Sequence, residues 1–98
     1  MRKIIIKEKE YKLAYNLRSL FVYEEMSGKP YTGSRSIENY LLMYAMLQAN
    51  NDEFSLSFDE FIEACDNDMS LFSECVEVMN EQAKRTEAFL ENKKKAVM

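Results

Sequence analysis

The 98-residue sequence contains no histidine, no tryptophan, one proline, two glycines and two cysteines. Without histidine, Ser-His and Cys-His nucleophile pairs and imidazole-ligated metal sites are excluded. Two glycines cannot build a phosphate-cradling loop. Cys65 and Cys75 have no companion ligands and fall at apolar positions of helical patterns, where a thiol fills a core more often than it forms a disulfide. The paired carboxylates Glu24–Glu25 and Asp59–Glu60 are sequence neighbours and point apart on a helix. The chain is therefore read as a non-enzyme, with no catalytic residue, cofactor or metal expected.

Long apolar runs are missing too. The longest, Leu41 to Leu47, falls well short of the ~20 residues a bilayer span requires. The charged start MRKIIIKEKE lacks the apolar stretch of a signal peptide. A cytoplasmic protein with no membrane partner is expected. Positive charge is absent from the middle: no Lys or Arg lies between Ser36 and Ala83, a span with eleven acidic residues, whereas the first 35 positions hold eight basic residues. An acidic middle repels phosphate backbones and neither basic end interleaves aromatics, so nucleic acid is not expected as a partner. The acidic run reads either as a solvated face or as a surface for a basic partner segment.

What is present makes one core. Hydrophobic residues are 47% of the chain and charged residues 31%, ordinary globular values for a single domain over residues 1–98. Tyr11, Leu13 and Tyr15 alternate with Lys12 and Ala14 after a β-branched KIIIK, which predicts a β-hairpin over about 3–15. Asn16 is a helix cap for 17–27, with Leu17, Leu20 and Phe21 on its buried face and Tyr23 at one edge. Both glycines and the proline sit in GKPYTG, the main loop. Further helices are predicted over 36–49, 58–67 and 69–91, with 92–98 a tail beyond them. The fold class is mainly α: a small four-helix domain with an N-terminal β-hairpin.

The stretch NDEFSLSFDEF, Asn51 to Phe61, resembles the closing half of an EF-hand loop. With Glu60 as the last ligand, however, Ala49 takes the first ligand position and Phe54 the position that requires glycine. A capping box explains the same residues: Ser57 caps, Glu60 returns a bond to it, and Leu56 packs toward Phe61. In the last helix, Met69, Phe72, Val76, Met79, Ala83, Thr86 and Leu90 recur at spacings of 3 and 4, a coiled-coil seam flanked at its start by Leu71, Cys75 and Val78. Its second half thins out around Phe89 and Leu90 and reads as projecting, either frayed and solvated or used by another helix.

The segment LRSLFVYEEMSGKPYT, then a Tyr- and Leu-rich helix, then LSFDEFIEACDND, resembles the tail assembly chaperones of long-tailed bacteriophages and prophages. The resemblance implies a non-enzymatic helper in the bacterial host cytoplasm. Such a protein covers the long, aggregation-prone tape measure protein until tail tube subunits polymerise around it. Partner contacts are then expected at Tyr40, Met43, Tyr44 and Leu47 on the second helix and at Val76, Met79, Ala83, Phe89 and Leu90 on the fourth. The tail tube protein is a further partner under this reading, and the seam also admits a homo-oligomer. The alternative reading is a small dimeric regulatory or adaptor protein that takes a basic segment on its acidic middle.

Overall fold

The computed structural model describes the backbone of residues 2–97 and the side chains of residues 2–84. Period-two alternation at the start becomes an antiparallel hairpin. β1 (Arg2–Ile6) pairs with β2 (Lys9–Leu13), Ile4 opposite Tyr11 and Arg2 opposite Leu13. Alternation sends Ile4, Ile6, Tyr11 and Leu13 into the core and leaves Ile5 in solvent. The connection is only Lys7 and Glu8, both left-handed at φ 52° and 67°. This is the primed turn that follows strand twist, and it is ordinarily occupied by Asn-Gly.

Four helices follow, and most of their boundaries are set by local hydrogen bonds. α1 (Leu17–Ser27) starts where the Asn16 side chain accepts from the Ser19 N–H at 3.0 Å. It stops at Gly28, whose φ of 72° lets its N–H reach back to the Glu24 carbonyl at 2.8 Å. α2 (Ser36–Asn50) carries five buried residues, Leu42, Met43, Ala45, Met46 and Leu47, and packs against β2 and all three other helices. A helix apolar nearly all round has to be covered on most sides, and here the chain itself does so. α3 (Phe58–Asn67) opens with the capping box: the Glu60 N–H donates to Ser57 Oγ and the Ser57 N–H to the Glu60 carboxylate, both at 3.1 Å. Phe61, Ala64 and Cys65 form its buried stripe.

α4 (Ser70–Val97) begins two residues after Asp68, whose carboxylate accepts from the Ser70 N–H and hydroxyl. It continues to Val97, so the residues expected as a tail from 92 belong to the helix. Its first half packs on the core through Leu71, Cys75 and Val78. The molecule measures 51 × 27 × 24 Å, about twice as long on one axis as on the other two.

One expectation about helix faces is overturned. Leu17 and Phe21, expected in the core, are 68% and 57% exposed. The buried face of α1 is Ser19 and Tyr23, roughly opposite them on the helix. The reason lies in polar satisfaction. Ser19 Oγ donates to the Ala14 carbonyl at 3.1 Å and meets Asn16 Oδ1 at 2.8 Å, so a small hydroxyl is buried without loss. The Tyr23 hydroxyl likewise finds Glu38 at 3.3 Å. On α4 the flank Leu71, Cys75 and Val78 faces inward with Phe72 and Met79 packed beside it, whereas Val76 and Ala83 of the seam are exposed.

Candidate partner-binding groove

With the flank of α4 turned to the core, its seam turns toward α1. Tyr15, Leu17 and Leu20 form one wall of an open groove and Met79, Gln82 and Ala83 the other, enclosing about 460 Å³. Phe21, one turn beyond Leu17, and Val76, one turn before Met79, extend the apolar surface along both helices. Leu20 and Met79 are half-buried against the core, while Leu17 and Ala83 are exposed. An apolar strip rimmed by polar residues and set between two helices accepts an amphipathic helix side-on.

The sequence-level contact residues divide. Val76, Met79 and Ala83 line or extend the groove. Met43 and Leu47 are fully buried, so their assignment as partner contacts is corrected: they belong to the centre of the core. Tyr44 is corrected too. Its ring is enclosed edge-on by Phe54, Phe58 and Phe61 at 5.3, 5.5 and 5.8 Å, and its hydroxyl donates to the Leu56 carbonyl at 2.5 Å. Tyr40 stacks on Phe72 at 4.6 Å, a contact internal to the domain. The side chains of Phe89 and Leu90 lie outside the described residues. Leu17, Leu20 and Phe21 are the groove residues that sequence reasoning placed in the core. Their signal was present as an i, i+3, i+4 stripe, but Tyr23 and Ser19 compete with it for the buried position.

Part of the acidic middle is engaged within the chain. Arg2 makes ion pairs with Glu74 at 2.7 Å, with Glu77, and with Glu81 at 2.9 Å, clamping β1 to α4. Hydrogen bonds to Glu74 and Glu77 push the guanidinium pKa further up. Glu60 caps α3 and lies 3.7 Å from the Lys7 ammonium. Glu38 holds the GKPYTG loop, accepting from the Thr32 N–H, the Thr32 hydroxyl and the Ser34 hydroxyl, and these bonds lower its pKa. Glu74, Glu77 and Glu81 thus receive Arg2 of the chain's own first strand.

Neither thiol is poised for chemistry. Burial pushes the pKa of Cys65 up to about 11 and that of Cys75 up to about 12. Cys75 instead contacts the Met46 sulfur at 3.6 Å. Among the described residues no group of three or more Cys, Asp or Glu converges as a metal site, and no helix is long and apolar enough to cross a membrane. Comparison with known proteins adds no relative: no protein-family profile, curated protein or solved structure matches the chain.

Proposed function

We propose that the chain is a non-enzymatic phage tail assembly chaperone that takes an amphipathic helical segment of a tape measure protein into the α1–α4 groove. The observation that carries this reading is the pair Leu17 and Phe21, exposed on α1 beside the α4 wall of half-buried Met79 and exposed Ala83. Two large apolar side chains held in solvent on a rigid helix cost solubility and contribute nothing to the core, so an external helix is the occupant that gives them a role. Among the described residues the groove is lined by Tyr15, Leu17, Leu20, Met79 and Ala83 with the amides Asn16 and Gln82, which suits varied apolar sequences more than one fixed motif. The resemblance of Leu17 to Thr32 and of Leu56 to Asp68 to tail assembly chaperones supplies the identity of the client. In this reading client and chaperone meet in the host cytoplasm, before tail tube subunits displace the chaperone.

Co-expression with a tape measure protein encoded alongside tests the proposal. The wild-type chain is expected to hold that protein in the soluble fraction and to co-purify with it. Leu17→Ser/Phe21→Ser is expected to lose both properties while remaining folded. A tape measure protein that precipitates equally with and without the wild-type chain would overturn the reading.

A further inference from the structure

We infer that the outer edge of β1 is a docking site for one extended, acidic segment of another protein, which joins the hairpin as a third strand. The site lies apart from the α1–α4 groove and stands whether or not the chaperone reading holds.

Backbone pairing exposes this edge. The Lys12 N–H and C=O point away from β1 and are taken up by Asn51. Lys3 lies opposite Lys12, so its own N–H and C=O point outward on the other side of the hairpin, and period-two alternation adds those of Ile5. Among the described residues nothing bonds to any of them. One edge of the two-stranded sheet is therefore closed by a side-chain amide, and the other is left open. β1 has no proline, glycine or bulge to interrupt a further ladder, and Ile5 stands 63% exposed on the outer face.

A hollow beside the edge has room for a side chain of such a strand. It measures about 170 Å³ and lies between β1 and the junction of α3 with α4. Buried Ile6, Ala64 and Leu71 make it apolar within, and exposed Asn67 and Asp68 rim it. A strand added to the edge sends alternate side chains to opposite faces, one set over Lys3 and Ile5 and the other toward this hollow. Main-chain bonds then supply affinity and the hollow supplies selectivity, the division of labour of strand addition in general.

Charge selects the occupant. Strand and turn from Arg2 to Lys7 carry Arg2, Lys3 and Lys7 and no carboxylate. A second copy of β1 on this edge would set like charges against one another, so the cations guard it against self-pairing. An acidic strand meets the opposite situation. Lys3 pairs with Glu10 at 3.4 Å and Lys7 with Glu60 at 3.7 Å, all four side chains about half exposed or more, and an ammonium group has donors to spare for a further carboxylate. The segment that fits carries a β-branched residue opposite Ile5, Asp or Glu opposite Lys3 and near Lys7, and an aliphatic residue facing the hollow.

Nuclear magnetic resonance on the full chain tests the inference. The probe is a synthetic peptide of about ten residues, alternating Val and Thr with Glu at both ends. In the free protein the Lys3 and Ile5 amides are expected to exchange rapidly with solvent, and the peptide to slow both. Replacing its Glu residues by Lys is expected to weaken binding roughly tenfold, and Lys3→Glu to reverse that preference. N-methylation of alternate peptide amides, which leaves every side chain in place, is expected to abolish binding. So is Ile5→Pro, which removes an outward donor and no hairpin bond. Leu17→Ser/Phe21→Ser is expected to leave the peptide's affinity unchanged.

Lys3 and Ile5 amides that stay unprotected at millimolar peptide overturn the inference. Equal binding of the N-methylated peptide does so too, because it means adsorption through side chains. Protection of the same amides in concentrated free protein, with a doubled mass in sedimentation, would give the edge to a second copy and overturn the acidic occupant. A chain that keeps the tape measure protein soluble yet never protects these amides would sink the strand site alone and leave the chaperone reading standing.

Discussion

The side chain of Asn51 completes both outward backbone hydrogen bonds of Lys12: Oδ1 accepts from the Lys12 N–H and Nδ2 donates to the Lys12 carbonyl, each at 2.9 Å. One amide stands in for a third strand along the edge of β2, while its Nδ2 also reaches the Leu47 carbonyl at 2.8 Å. Asn50 repeats the device one residue earlier, donating to the Ala14 and Met46 carbonyls at 3.0 and 2.7 Å. The end of α2 thereby fixes the hairpin and the start of α1 in one frame. Asn51→Ala is expected to cost about 1–2 kcal/mol of stability, because it leaves two strand-edge groups unpaired. Amide exchange at Lys12 should accelerate with it; an unchanged Lys12 exchange rate would show that the edge does not depend on Asn51.

Burial separates two sets of residues that sequence alone treats alike. Met43→Ala should cost about 2–5 kcal/mol, as expected for a cavity at a fully buried position. Leu17→Ser should change stability by no more than about 0.5 kcal/mol, because its side chain lies in solvent. Denaturant titrations of both variants decide the matter, and equal losses would place Leu17 in the core after all.

The hairpin turn holds Lys7 and Glu8 in a left-handed conformation that costs L-residues about 1 kcal/mol or more each. Substituting Glu8→Gly, or Lys7→Asn with it, should raise stability by about 1 kcal/mol, read as a higher midpoint in thermal or urea unfolding. Loss of the Lys7 contact to Glu60 subtracts little from the double variant, since both groups are half-exposed.

Acid should loosen the GKPYTG loop. Hydrogen bonds from the Thr32 N–H and hydroxyl favour the charged form of Glu38, so its folded pKa lies below the ordinary 4.5. Near that pH the unfolded chain binds the proton more readily than the folded one, and stability therefore falls as pH drops through the folded value and is regained above 4.5. Melting temperature against pH should fall more steeply in this window for wild type than for Glu38→Gln. Parallel curves would show that the loop is held otherwise.

The thiols give the opposite sign. Their raised values, about 11 and 12 against an ordinary 9.0, mean that the unfolded chain loses protons the folded chain keeps. Stability should decline as pH climbs from about 9 toward 12. At neutral pH a thiol reagent should label Cys65 and Cys75 only at the rate of unfolding, and both at once in denaturant.

What sequence reasoning could reach was whatever is decided within one turn of chain. The alternation of Tyr11 and Leu13, the cap at Asn16 and the Ser57–Glu60 box are local, and the structure contains each of them. Which face of a helix is buried is a tertiary choice. On α1 a hydroxyl and a tyrosine won over Leu17 and Phe21 because Ala14, Asn16 and Glu38 satisfy their polar atoms. On α4 two apolar stripes of similar spacing compete, Leu71–Cys75–Val78 and Phe72–Val76–Met79, and the positions of β1, α2 and α3 rank them. The groove was illegible for that reason: it exists where the losing stripes of two helices meet.

The Arg2 clamp joins the first strand to residues 74, 77 and 81, across nearly the whole chain. During translation the strand emerges from the ribosome long before its carboxylates have been made. A nascent chain that stops short of α4 leaves the guanidinium unanswered and one side of Met46 bare, so these contacts form only once synthesis has passed Glu81. A helix made late acts as the fastener for a strand made early.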